Sequence, residues 1–287
     1  MKCLARACAS ALPLLGLASC TSFEFEEQAI ALRHVADGDA LELRIVYLGL
    51  NPGDAKPEEA AAAVAAIAEG AKHFLLVGWP FEFSGDYFEK AQDESHPEAE
   101  RRFARWLAAF EVVESGVFAA GEGRLCAWQV LRIPQISSGL EVLGRVVDQS
   151  VREQLHRKDP SAPFDDPALV PRFEEAARAG NYAWASFEKG ALRVAFPISP
   201  AGMAQLARGL AHHSAEREGA PTGVLGALSS LDVRGGEAVL RFEPDEQGWI
   251  DFRFVFPERT ASADLAARVL ARVPASEPPS WARELAR

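Results

Sequence analysis

Paired strand signals around tight turns constrain this chain more than any other feature. Residues 28–35 and 40–49 read as strands on either side of Ala36-Asp37-Gly38-Asp39, a Gly/Asp turn suited to positive φ. In the second run Leu41, Leu43, Ile45 and Tyr47 alternate with Glu42 and Arg44, so one face packs and the other is wetter. Asn51-Pro52-Gly53-Asp54 ends the pair, and Pro57 opens an alanine-rich helix to about Gly70 whose small side chains allow close packing on a sheet. A second hairpin, 112–119 and 124–133 around Gly121-Glu122-Gly123, precedes a helix from Gly139 to Arg157. A third, 183–188 and 191–197, turns at Lys189-Gly190 and precedes a helix capped by Ser199, started by Pro200 and running to about Glu218. Three strands follow, 224–233, 237–243 and 249–256, joined by Gly235-Gly236 and Asp245-Glu246-Gln247-Gly248, then a helix from Ala261 to Arg272 and a Pro-rich tail. The recurrence is one of shape, without residue-level identity between copies. Hairpins joined by tight turns make antiparallel sheets, so the fold class is α+β: sheets built from hairpin-then-helix units, with helices covering one face.

Between the first two hairpins, His73 to Trp79 reads as a short strand, followed by a polar, aromatic loop and a helix over 97–110. Phe103, Trp106, Leu107 and Phe110 recur at helical spacing and predict a core stripe, with Arg101, Arg102 and Arg105 covering the outer face. Lys158 to Pro171 holds four prolines and the pair Asp165-Asp166, which marks a boundary. The expected organisation is a leader over 1–19, a first α+β lobe over 20–158, a connector over 159–171 and a second lobe over 172–287. Packing of the two lobes as one domain is the alternative.

The leader has the three parts of an export signal. Lys2 and Arg6 charge its start, an apolar stretch runs from about Ala7 to Leu17, and small residues Ala18 and Ser19 precede Cys20. The apolar run falls far short of the ~20 residues of a spanning helix, and Pro13 and Gly16 interrupt it. Leu17-Ala18-Ser19-Cys20 resembles the lipobox of bacterial lipoproteins, over residues 1–22 only. That resemblance implies a thioether-linked diacylglyceryl group on Cys20, which becomes the first mature residue, and an address at the bacterial cell envelope. Thr21, in place of the Asp that favours inner-membrane retention in enteric-type bacteria, leans toward the outer membrane, periplasmic side. Thr21 and Ser22 lead at once into the alternating Phe23-Glu24-Phe25, so almost no tether separates anchor from body.

Loss of Lys2 and Arg6 with the leader takes the formal charge from −11 to −13. Such a surface repels polyphosphate, which argues against nucleic-acid binding, and the partners expected are the membrane and an envelope protein or glycan. Cys3, Cys8 and Cys20 match no zinc spacing, and no cofactor motif is present. With Cys20 acylated, Cys126 is the single thiol of the mature chain; its strand context, Leu125 to Leu131, predicts a buried, inert side chain.

Standard catalytic motifs are absent, including the nucleophile elbow, the zinc-protease helix, the phosphate loop and the calcium loop. Of the clusters that remain, residues 79–89 carry the most chemistry. Rings stack on sugar faces and carboxylates accept hydroxyl protons, so Trp79, Glu82, Asp86 and Tyr87 are the candidate ligand-binding residues. Glu82 and Asp86 could act as a glycosidase pair if they faced each other across a cleft at ~5–9 Å. The duller reading is a loop whose rings plug the core. His212-His213 point about 100° apart on a helix and cannot chelate one ion from one face. Asp86, Glu89, Asp93 and Glu94 read as a solvated acidic face, and Asp159, Asp165 and Asp166 as turn formers in a linker. The expected function is therefore a non-enzymatic envelope lipoprotein acting by binding or structural association. The alternatives are an envelope glycan hydrolase or glycan-binding protein using 79–89, and an assembly factor docking another protein through a sheet edge or the aromatic helix 103–110.

Overall fold

Alternation along residues 24–51 builds the longest hairpin of the molecule. The computed structural model describes residues 23–286, except 72, 77–78, 83–93, 158–169, 180–181, 199–201, 203, 205–225 and 257. In it, strand β1 (Glu24–Val35) runs antiparallel to β2 (Ala40–Asn51) in unbroken register from Glu24↔Asn51 to Val35↔Ala40. The far edge of β2 pairs with β6 (Leu125–Pro134), which pairs with β5 (Glu111–Ala119) across a bulge between Val112 and Glu114. Strand β11 (Ile250–Val255) closes the other side on β1, giving a five-stranded antiparallel sheet of order β11-β1-β2-β6-β5. A second sheet has the order β7-β8-β10-β9, from Ala185–Glu188, Ala191–Pro197, Glu237–Phe242 and Ser230–Arg234. A two-stranded ribbon joins β3 (His73–Leu76) to β4 (Trp79–Glu82). With helices α1 (Pro57–Ala68), α2 (Glu98–Ala108), α3 (Ile136–Arg157), α4 (Val170–Ala179), α5 (Ala263–Arg272) and α6 (Ser280–Leu285), this is an α+β fold.

The large sheet is buried on both faces of β2. On one, Ile45, Tyr47 and Leu50 meet Phe25 and Ile30 of β1 under Val64 and Ile67 of α1, Leu107 of α2, and Leu265 and Val269 of α5. On the other, Val46 and Leu48 pack with Phe118, Cys126 and Trp128 beneath Ala282, Trp281 and Leu285 of α6. Helix cover therefore extends to the second face of the sheet, through a short helix in the Pro-rich tail. Tyr47 is fully buried and its hydroxyl donates to Gln129 Oε1 at 3.0 Å, so its polar tip finds a partner. The aromatic stripe of α2 is core: Leu107 and Phe110 are buried, and Trp106 stands edge-on to Phe110 at 4.9 Å. Strand β11, from the second half of the chain, pairs inside the first sheet. Its Ile250 continues into the core of the second sheet with Leu240 and Phe242, against Leu32 of β1.

Two of the boundaries that differ from the sequence reading have a direct physical reason, one close in the chain and one far away. Residues 79–82 are strand rather than loop, because they pair with 73–76; β4 has a single neighbour among the described strands, where Pro80 is tolerated. Helix α3 starts at Ile136 rather than Gly139, because Asp39 caps it. The Asp39 carbonyl accepts from Ile136 N–H at 2.9 Å and its carboxylate from Ser137 N–H at 3.1 Å and Ser137 Oγ at 2.6 Å. Asp39, not Gly38, carries the positive φ of the β1–β2 turn, at 42°.

Gly49 stands at φ +65°, and a Cβ there would lie 2.2 Å from Glu26 Oε2. Glu26 cannot yield freely, since Oε1 accepts from Ala261 N–H at 2.9 Å and Oε2 faces Arg124 at 3.5 Å. Gly123 also has positive φ, +74°, but open space around it. Gly49→Ala is expected to lower stability by about 2–4 kcal/mol and Gly123→Ala by only about 1 kcal/mol, read from parallel denaturant titrations. Equal losses would show that the Glu26 contact contributes nothing.

Candidate functional site

An open groove defined wholly by described side chains lies between two helices that each turn a stripe toward it. From α2 come Arg102, Arg105, Trp106 and Ala109; from the start of α3 come Gln135, Ser138, Gly139 and Val142. Both sets follow the i, i+3, i+4, i+7 spacing of a single helix face. The groove holds about 240 Å³. Trp106 is fixed in its wall because the indole N–H donates to the Pro134 carbonyl at 2.9 Å, and because Gly139 leaves room for the ring. A Cβ at Gly139 would sit 2.0 Å from Trp106 Cε2. What the groove offers a ligand is two guanidiniums beside an indole. No ion pair among the described residues uses either Arg102 or Arg105, and a cation left without a carboxylate is suited to receive an anion.

The sequence-derived candidates are only partly placed. Trp79 and Glu82 are the two ends of β4, in register with Leu76 and His73. Asp86 and Tyr87 lie outside the described residues, as do Cys20, Glu89, Asp93, His212, His213, Asp159, Asp165 and Asp166. Glu94 is exposed. The structure thus neither joins nor separates Glu82 and Asp86. Arg102 and Arg105 were read as outer-face cover; the signal that singles them out is the 102-105-106-109 stripe beside the apolar one. Among the described residues no cluster of three or more metal-ligating side chains occurs, and no helix there is long and apolar enough to cross a membrane.

Two further polar clusters hold the fold together. In the first, Trp184 N–H donates to buried Asp148 of α3 at 2.7 Å, and the Tyr182 hydroxyl donates to Glu237 of β10 at 2.6 Å. Burial, and then the bond to Glu237, push the Tyr182 hydroxyl far above its ordinary pKa, so it stays a donor at any physiological pH. The cluster stitches α3 to the second sheet. In the second, Arg44 lies 3.9 Å over Trp249 and 5.2 Å from Trp281, and Arg33 also lies over Trp249 at 4.6 Å. Burial and the like charge of Arg33 lower the Arg44 pKa. These stacks pin α6 and the 245–249 turn to the large sheet.

Cys126 is wholly buried between sheet and α6. Burial is the main cause that raises its thiol pKa, so the thiolate fraction falls and native reactivity with it. In native protein at pH 7.5, iodoacetamide is expected to leave the Cys126 peptide unmodified, with labelling appearing only once denaturant unfolds the chain. Peptide mass spectrometry reads this directly, and rapid native alkylation at Cys126 would contradict it. Comparison with protein-family models, with curated proteins and with solved structures finds no match to this chain.

Proposed function

We propose that this chain is a bacterial envelope lipoprotein, tethered through Cys20 and acting by binding or structural association rather than catalysis. The observation that carries the reading is where the folded body begins. Phe23 is already buried at 3 % exposure and β1 starts at Glu24. Two residues, Thr21 and Ser22, then separate the acylated cysteine from packed structure. At ~3.6 Å per extended residue the reach is about 11 Å, so the body stands on the bilayer instead of swinging above it. One apolar chain alone would hold only marginally, while the diacylglyceryl group that the lipobox resemblance implies gives lasting attachment. Thr21 favours the outer membrane, periplasmic side.

A short tether also orients the body. The end near Phe23 gathers the 51–54 loop, the 121–124 turn and the start of α5. Arg124 faces Glu26 at 3.5 Å, Arg259 faces Glu24 at 3.7 Å, and Ser262 N–H donates to Leu50 O at 3.1 Å. Glu24 and Glu26 there each face an arginine, which limits their repulsion from anionic headgroups. The opposite end carries the 36–39 turn and the start of α3. The reading as a glycan hydrolase rests on the sequence of 79–89 alone. The reading as an assembly factor would have to use a sheet edge or Phe103 and Trp106 of the aromatic helix, since Leu107 and Phe110 are buried.

Cys20→Ser is expected to move the protein from the membrane to the soluble envelope fraction, with the folded body unchanged by circular dichroism. Mass spectrometry of the wild-type N-terminal peptide should show a diacylglyceryl adduct beginning at Cys20. Unaltered fractionation of the variant would overturn the assignment.

A further inference from the structure

Along β1, 12 residues at ~3.3 Å each place the groove of Arg102, Arg105 and Trp106 about 36 Å from the tethered end. Its α3 wall starts at Ile136, whose N–H bonds the Asp39 carbonyl at the far turn of the hairpin. If Cys20 is acylated, the groove faces away from its own bilayer, beyond reach of that leaflet's headgroups. The occupant must then come from the space above the membrane.

We propose that this groove binds a carboxylate-bearing saccharide of the envelope. The proposal rests on the anchored reading for the source of the ligand, and on the groove's own chemistry for its class. Arg102 and Arg105 stand one turn apart on α2, so their guanidiniums can converge on one carboxylate, for which their planar forks are matched. In a chain of formal charge −11, two neighbouring arginines with no ion pair among the described residues stand out from the acidic composition. The indole of Trp106 lines the same groove, with Ala109 and Val142 adding apolar wall. Aromatic walls favour the C–H faces of a sugar ring, and a bare inorganic anion would leave them unused. A groove of about 240 Å³ takes a residue or two of a glycan and leaves the polymer outside. Trp106 is held by Pro134 and Gly139 whether or not a ligand is present, so the ring wall is preformed.

The test uses the full lipidated chain in neutral detergent, titrated with the disaccharide N-acetylglucosaminyl-N-acetylmuramic acid and followed by calorimetry. The expected result is saturable binding that weakens at least tenfold for the methyl ester of the sugar acid. A similar loss is expected for the Arg102→Gln/Arg105→Gln protein, whose fold is checked by an unchanged melting temperature. Inorganic phosphate is expected to bind at least tenfold more weakly than the disaccharide. No binding by wild type, equal binding of acid and ester, equal binding of phosphate, or undiminished binding by the folded double variant would each overturn the proposal. Cys20→Ser should leave the affinity unchanged while altering fractionation, so failure of the anchor and failure of the groove give different results.

Discussion

The hydrogen-bonded register between β1 and β2, with β2 covered on both faces, is the constraint on which the other elements depend. Ile45, Val46, Tyr47, Leu48 and Leu50 are all within 2 % of full burial. At roughly 1.5–3 kcal/mol for each large apolar side chain taken from water, this one strand supplies a large part of the driving force. Burial of consecutive residues requires two layers, so α1 and α5 must cover one face and α6 the other. A slip of one residue would exchange the faces and bury Arg44 where Ile45 sits. The buried Tyr47–Gln129 bond adds register specificity, because a slipped pairing would part a donor and an acceptor taken out of water.

Around that strand, single residues set how the layers meet. Asp39 ends the β1–β2 turn and caps α3, so the hairpin tip and the groove wall are placed by one side chain. Gly49 lets Glu26 lie over the other end of β2, where Glu26 receives Ala261 before α5. The cation–π stacks of Arg44 hold α6 against the outer face. Tied down at both ends of its central hairpin, the body holds the groove wall at one end and Phe23 at the other in a fixed relation.

Much of the architecture was legible because it depends on local pattern. The alternation of Leu41, Leu43 and Ile45, the Lys189-Gly190 turn, and the stripe of Phe103, Leu107 and Phe110 each name their element from neighbours a few positions away. The start of α3 was not legible, since its cap lies 98 residues earlier. Nor was the ribbon of β3 and β4, where Pro80 reads as a breaker until its one-sided pairing is seen. The candidate site divides in the same way: aromatic and acidic density marked 79–89, whereas Arg102 and Arg105 looked like ordinary surface cover until α3 stood opposite them.

By itself the chain's order of residues determined an α+β fold of antiparallel hairpins and the buried character of Cys126 and of Leu107 and Phe110. Those properties follow from periodicity, turn chemistry and local composition, which act over a few residues. Tertiary structure alone decided that β11 returns to flank β1, that α6 seals the second face of β2, and that two arginines and an indole share a groove remote from Phe23. Contacts between elements separated in the chain depend on which apolar faces find each other when the chain closes, and no local pattern specifies that choice.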